Sequence, residues 1–306
     1  MSHNISIRAM RPVRTFIAGV AGGCALISAA PAPAGSRITY NADFQALYEA
    51  PVPGTSAFLR EWARREVSRV PITTYVQDAA LPDLCFYESK AGEIFGDRFG
   101  DNLAAIKPPI EQNLAKSIRA LRAEGTDLLR VVTETLQPRG IEVLAGVRMA
   151  DTHHRRIAWE LGLCPQFTID HPEWVIRQPD GRDNETGLDY SFPQVRTHRL
   201  AIMRELAANY DLDGLELNFI RWGKHFPRDQ GAAKAPIMTE FVGQIRAMLD
   251  EVAQARGRKR FVLGVRVPEG IRECWLAGLD PETWVRRGWI DYLAASPFNE
   301  TNPQVR

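Results

Sequence analysis

Short runs of β-branched and aromatic residues alternate along the chain with longer stretches in which apolar residues recur at helical spacing. Six runs have the length and composition of buried strands. They cover residues 37–43, 71–78, 141–149, 212–220, 261–267 and 290–295. The helical spacing predicts helices over residues 56–68, 110–122, 126–136, 193–210, 236–256 and 281–287. Strands that alternate with helices indicate βαβ units and a parallel sheet.

Two α/β architectures fit this alternation. A doubly wound nucleotide-binding sheet requires a glycine-rich turn after its first strand. The residues after Asp43 are Phe44-Gln45-Ala46-Leu47, without glycine, and the chain has no phosphate-binding loop motif. The pattern therefore favours a (β/α)8 TIM barrel, whose active site lies at the carboxyl ends of its strands.

The first 34 residues have the features of a secretory signal peptide. Arg8, Arg11 and Arg14 precede an apolar run over residues 15–30, and Ala32-Pro33-Ala34 is the preferred cleavage site. The run is shorter than the roughly 18 residues that span a bilayer. A lipoprotein signal at Cys24 is the weaker alternative. The sequence thus predicts a secreted or periplasmic protein whose barrel domain is residues 35–306, with no membrane segment once the signal is removed.

Charge and cysteine content narrow the possible functions. Lys+Arg is 38 and Asp+Glu is 37, for a formal net charge of +1. Removal of residues 1–34 takes away three arginines and makes the charge −2. This balance does not support nucleic-acid binding, which needs a basic excess. The remaining cysteines (Cys85, Cys164 and Cys274) are far apart and lack zinc-ligand spacing, so we expect no structural metal and no cofactor.

Polar residues occur at the end of every predicted strand. Because the carboxyl ends of barrel strands meet at one face, these residues predict a shared polar pocket. The substrate-binding candidates are Asp43, Asp78, Arg148, His153, His154, Asn218, Arg221 and Arg266, and Gln77, Ser296, Asn299 and Glu300 also lie at strand ends.

Glu216 is the strongest catalytic candidate. Strand side chains alternate between faces, so Leu215, Leu217 and Phe219 are predicted to face the helices. Glu216 then points into the barrel, where a carboxylate must be paired, hydrated or catalytic. Work as a general acid would suit it. The alternative is a structural ion pair with Arg148 or Arg266.

Other polar and aromatic residues near the strand ends allow further interpretations. Asp151, the second catalytic candidate, could bind a metal with His153 and His154, although adjacent histidines on a strand end point apart. Aromatic side chains in the loops could stack on sugar rings or pack against the barrel rim; they are Trp159, Trp174, Trp222, Trp275 and Tyr190. Arg196, Arg199 and Arg204 are predicted to form a solvated helix face.

Four segments together resemble the glycosyl-hydrolase-like barrel proteins similar to family 10. They are residues 38–43, 147–154, 211–221 and 263–268, followed by Cys274, Gly278, Leu279, Asp280 and Trp284. The resemblance implies a (β/α)8 barrel, a carbohydrate substrate and an acid/base carboxylate at Glu216. The family often has Asp at the position of Asn218. Residues 213–220 also look like the strand-four motif of family 18 chitinases, but the essential glutamate would fall on Ile220.

Glycoside hydrolysis normally needs two carboxylates. The nucleophile of many barrel glycosidases lies on strand seven, and only six strands are predicted here, so we expect a barrel truncated at its C-terminus. The second carboxylate is then either absent from this chain or one of Asp43, Asp78, Asp151 and Glu300. The leading hypothesis is a secreted glycoside hydrolase. The alternatives are a carbohydrate-binding barrel without turnover and a metal-dependent hydrolase using Asp151, His153 and His154. The sequence does not indicate which oligomeric state the protein adopts.

Overall fold

The computed structural model describes residues 36–51, 54–153, 156–177 and 187–297. The strands are β1 (Thr39–Ala42), β2 (Thr74–Leu81), β3 (Leu84–Cys85), β4 (Glu93–Ile94), β5 (Glu142–Arg148), β6 (Gly214–Asn218), β7 (Val262–Val267) and β8 (Tyr292–Ala295). The helices are α1 (Gln45–Glu49), α2 (Ser56–Ser68), α3 (Ile110–Ala123), α4 (Leu128–Leu136), α5 (Gln166–Asp170), α6 (Pro193–Asn209), α7 (Gly231–Ala255), α8 (Ile271–Leu276) and α9 (Pro281–Arg286). The predicted signal peptide, His154, Asn299 and Glu300 lie outside the described residues.

The main sheet has the strand order of a (β/α) barrel. Neighbouring strands in the order β1-β2-β5-β6-β7-β8 all pair in parallel, and helices lie on every connection between them. Strands β3 and β4 form a short side extension, in which β3 pairs with β2 in antiparallel fashion. All six predicted strands are therefore confirmed, and they follow one another around the sheet in chain order.

Side-chain contacts across the sheet show that it is strongly curled. The Asn41 amide on β1 donates a hydrogen bond to Glu216 on β6, although β2 and β5 lie between them. Three strand spacings of a flat sheet would separate their backbones by about 14 Å. Tyr292 on β8 also reaches Glu216, across β7. The fold is thus of the TIM-barrel type, and in the described part of the chain it stays open between β1 and β8.

All six predicted helices are present, but two of them begin at other residues than predicted. Helix α4 begins at Leu128, two residues after the predicted start. Helix α2 has the predicted bounds, and its N-cap Thr55 accepts a hydrogen bond from the Phe58 backbone. Helix α7 begins at Gly231, five residues before the predicted start at Pro236. Pro236 therefore lies inside the helix and not at its start. Within the described residues no helix is long and apolar enough to cross a membrane.

Arg199 corrects the prediction of a solvated face on α6. Its side chain is 2% exposed and forms a bidentate ion pair with Asp83, with Nε–Oδ1 and Nη2–Oδ2 distances of 3.1 and 3.0 Å. It also donates to the Met149 carbonyl and lies over the Tyr190 ring. The prediction was wrong because Asp83 belongs to the tight turn between β2 and β3, which the strand pattern did not reveal. Arg204, by contrast, is exposed and pairs with Glu251 on the surface.

This contrast gives a stability prediction. Asp83→Ala should lower the free energy of unfolding by about 3–5 kcal/mol, because it leaves the Arg199 charge buried without a partner. Urea denaturation measures the change. The matched control is Glu251→Ala on α7. It removes the ionic partner of Arg204, an exposed arginine on the same helix as Arg199, and should leave the denaturation midpoint close to that of the wild type. Equal midpoints for the two variants would contradict the prediction.

Candidate active site

One row of five aligned residues crosses the centre of the curled sheet. Strand pairing aligns Asp78 on β2 with Gly146, Gly146 with Glu216, Glu216 with Gly264, and Gly264 with Tyr292 on β8. Residues aligned across parallel strands present their side chains to the same face. The row therefore brings two carboxyl groups and one phenol to the barrel interior, with a glycine on each side of Glu216.

The two glycines make room for their neighbours. A Cβ atom at position 146 would come within 2.5 Å of Asp78 Oδ1, and a Cβ at position 264 would overlap the Tyr292 ring. The side chains of Asp78 and Tyr292 therefore lean across the glycine positions towards Glu216. Any larger residue at either position would push a polar group out of the row.

The Glu216 carboxylate is fully buried and has three partners. It accepts hydrogen bonds from Asn41 Nδ2 at 2.8 Å and from the Tyr292 hydroxyl at 2.6 Å, and Arg266 Nη2 lies 3.4 Å from Oε1. Burial raises the pKa of Glu216, and the nearby Asp78 charge adds to this effect. Arg266 and the two hydrogen bonds oppose it. The interior position predicted by strand alternation is confirmed.

Asp78 has a separate cation. Arg148 Nε lies 2.9 Å from Asp78 Oδ2, while Arg148 Nη2 lies 2.6 Å from Asp43 Oδ1. Burial raises the pKa of Asp78, and the charge of Arg148 opposes the shift. Asp78 Oδ1 is buried without a hydrogen-bond partner in the described part of the chain. Because the Asp43 side chain is 47% exposed, the Asp43–Arg148–Asp78 ion cluster connects the interior row with the solvent.

A second row lies nearer to the carboxyl ends of the strands. It aligns Arg148 with Asn218 and Asn218 with Arg266. Asn218 Oδ1 accepts hydrogen bonds from the backbone nitrogens of Ile220 and Arg221, both at 3.2 Å. Asn218, which was predicted to bind substrate, therefore uses its side-chain oxygen to fix the backbone of the loop after β6. That loop places Trp222 in a left-handed conformation with φ of 67°.

Asp151 and His153 form a pair at the same end of the sheet. His153 Nδ1 lies 2.6 and 2.7 Å from the two Asp151 carboxylate oxygens, and its backbone nitrogen donates to Oδ1. The His153 ring meets Trp222 edge to face at 5.1 Å. Among the described residues, no group of three or more His, Cys, Asp and Glu side chains could hold a metal ion. The metal-site hypothesis also needs His154, which lies outside the described residues.

Two further groups were not identified from the sequence: Tyr292, which is a site residue, and Glu111, a buried carboxyl group whose pKa is affected by Asp151. Glu111 is buried on α3, and burial raises its pKa to about 8, with a contribution from Asp151. The sequence carried a signal for it, because Glu111 shares the apolar stripe of the helix with Leu114, Ala115 and Ile118. Tyr292 lay within a predicted strand, but nothing in its neighbours marked it as a partner of Glu216.

A cleft of about 590 Å³ opens at the carboxyl ends of β6, β7 and β8. This volume falls in the range of small-ligand sites. The cleft is lined by Ile220, Trp222, Pro268, Glu269, Glu273 and Ser296, among others. Of the predicted aromatic contacts, Trp222 lies on this cleft, whereas Tyr190 is fully buried in the core.

Comparisons with known proteins return structural likeness only. No family profile matches the chain, and no curated protein matches it. Similar crystal structures include a chitinase of Paenibacillus sp. (13% identity, TM-score 0.43) and a GH18 chitinase of Cycas revoluta in complex with (GlcNAc)3 (12%, 0.41). A maltogenic α-amylase of Thermotoga neapolitana is also similar (15%, 0.41). They cover 83%, 83% and 76% of this chain, which spans 23%, 53% and 46% of theirs.

The raised pKa of Glu216 predicts how stability depends on pH. The folded protein holds this proton more tightly than the unfolded chain, whose glutamate has a pKa of 4.5. The stability contributed by Glu216 is therefore present below pH 4.5 and is lost as the pH rises through the higher folded-state value. Glu216→Gln cannot titrate, so its stability relative to the wild type should increase across this pH window.

Urea denaturation at a series of pH values measures the difference. The control is Glu240→Gln, which changes an exposed glutamate of α7 and should keep the pH slope of the wild type. A constant difference between Glu216→Gln and the wild type at every pH would show that Glu216 titrates alike in both states.

Proposed function

We propose that this chain is a barrel glycoside hydrolase in which Glu216 is the general acid/base and Asp78 is the second carboxylate. The observation that carries the proposal is the interior row. In it, the buried carboxyl groups of Asp78 on β2 and Glu216 on β6 lie on either side of Gly146, on the strand between them. Glycosidases act through such carboxyl pairs, one of which must hold a proton near neutral pH. Burial raises the pKa of Glu216 in the direction that this role requires.

The partners of the two carboxyl groups favour a division of roles. Arg148 lies 2.9 Å from Asp78 Oδ2 and opposes the rise that burial causes in the pKa of Asp78. We assign Asp78 the role of nucleophile or base for water because the cluster with Arg148 and exposed Asp43 connects it with the solvent. Glu216 would donate its proton to the glycosidic oxygen and recover it in the return step. Two strand spacings separate the backbones of Asp78 and Glu216 by about 10 Å, and both side chains point inwards from there.

The residues around this row suit a carbohydrate. Asp43, His153 and Arg221 offer charged and hydrogen-bonding groups at the carboxyl ends of the strands, and Trp222 offers a ring face for stacking. Both oxygens of Asp151 contact His153. We therefore assign Asp151 the role of orienting His153 for substrate. We further propose that residues 1–34 direct export, so that the enzyme works in the periplasm or outside the cell.

A carbohydrate-binding barrel without turnover is the second candidate. One observation favours it. Glu216 has no exposed surface, and its carboxylate already contacts Asn41, Tyr292 and Arg266. A carboxylate in that state acts as a structural centre unless ligand binding rearranges its partners. The two candidates make opposite predictions for the release of reducing ends.

Substitution of the two carboxyl groups separates these functions. On a glycan that the wild type hydrolyses, Glu216→Gln and Asp78→Asn should each lower kcat by about 10²–10⁴-fold with little change in KM, because each removes a group that acts in the transition state. Reducing-end release measures the rates. The control Glu251→Gln, on the surface of α7, should keep the wild-type rate.

Two outcomes would count against the proposal. Full activity of Glu216→Gln would remove Glu216 from the reaction. Glycan binding by the wild type without any release of reducing ends would favour the binding barrel. The pH profile adds a readout that a structural role would not change: loss of the Glu216 proton should define the alkaline limb of kcat/KM.

A further inference from the structure

The guanidinium of Arg221, at the carboxyl end of β6, forms no ion pair with any of the residues that the structure describes. Its backbone nitrogen is fixed by Asn218, and its side chain is half-buried just after β6. Arg221 Nε is buried and has no hydrogen-bond acceptor in the described part of the chain. The other two arginines of this region are paired, Arg148 with Asp78 and Asp43, and Arg266 with Glu216.

The surroundings of Arg221 make its charge costly. Burial lowers the pKa of Arg221, and the neighbouring Arg148 charge lowers it further, while Asp43, Asp151 and Asp78 oppose the shift. Asp43 and Asp78 pair with Arg148, and Asp151 pairs with His153. None of the three forms an ion pair with Arg221 in the described part of the chain. A desolvated donor without an acceptor costs free energy, which an incoming anion would relieve.

We propose that Arg221 binds the anionic group of an acidic saccharide, so that the substrate of the site carries a carboxylate or a sulfate ester. The proposal rests on the proposed function and names its substrate class. A guanidinium presents a planar fork of donors that matches the oxygens of carboxylates and sulfates. Arginine is therefore better suited to this recognition than to binding a neutral hydroxyl.

The cleft beside Arg221 can hold a sugar whose anionic group faces Arg221. Trp222 lines the cleft, and the Arg221 guanidinium lies 5.9 Å from the centroid of the Trp222 ring. Glu269 and Glu273 line the same cleft, so an anionic group is disfavoured there. A sugar ring stacked on Trp222 can thus direct its anionic substituent towards Arg221 and its neutral face into the cleft.

Three oligosaccharide probes of equal length test the proposal by calorimetry: oligogalacturonate, a sulfated galacto-oligosaccharide and a neutral galacto-oligosaccharide. The full-length protein should bind at least one anionic probe more tightly than the neutral one, and the affinity should fall as NaCl is raised. Arg221→Gln should weaken anionic binding by about tenfold or more and leave neutral binding unchanged. The control Arg228→Gln removes the same charge from an exposed position of the same loop and should change neither.

The anionic probe that binds identifies the source of the charge. Equal affinity for the neutral and anionic probes, no binding of either anionic probe, or unchanged anionic binding by a folded Arg221→Gln would overturn the inference. If Arg221→Gln fails to fold, Arg221→Lys and the salt dependence of the wild type provide the same test. Salt-sensitive anionic binding without hydrolysis would reject the proposed activity alone, whereas hydrolysis of neutral glycans alone would reject only the inference.

Discussion

The burial of one carboxylate at the centre of the sheet is the constraint on which the rest of the structure depends. Glu216 has no contact with solvent, so its oxygens must find donors inside the protein. The donors come from Asn41 on β1, Arg266 on β7 and Tyr292 on β8. A flat sheet cannot bring these strands together. The curl of the barrel and the hydrogen bonding of Glu216 are therefore two aspects of one arrangement, and Gly146 and Gly264 keep the space that it requires.

The sequence predicted local structure and the direction of single side chains far better than contacts between residues that are distant along the chain. Alternation along residues 212–220 was enough to place Glu216 inside the barrel, because the period of two is a property of the strand itself. Its hydrogen bond with Asn41 joins residues 175 positions apart and depends on how far the sheet curls. Arg199 was misassigned for the same reason, since its partner Asp83 lies 116 positions away in a two-strand turn.

Charge is distributed in layers within this site. The interior row holds the carboxyl groups of Asp78 and Glu216, and the row above it holds the guanidinium groups of Arg148 and Arg266. Each carboxyl group has its own cation, yet the pKa of both remains raised because the cost of burial exceeds the attraction. Paired charges of this kind do little for stability compared with an apolar core of the same volume. Burial of these two carboxyl groups therefore costs free energy that an apolar core of the same volume would not.

Two buried atoms of this charged cluster have no hydrogen-bond partner among the described residues. Each such atom costs free energy that a bound group could recover. In the described part of the chain, Asp78 Oδ1 lacks a donor and Arg221 Nε lacks an acceptor, and both groups interact with Arg148. They do not satisfy each other. A ligand that offers a hydroxyl to Asp78 and an anionic oxygen to Arg221 would satisfy both, and an acidic sugar carries these two groups on one ring.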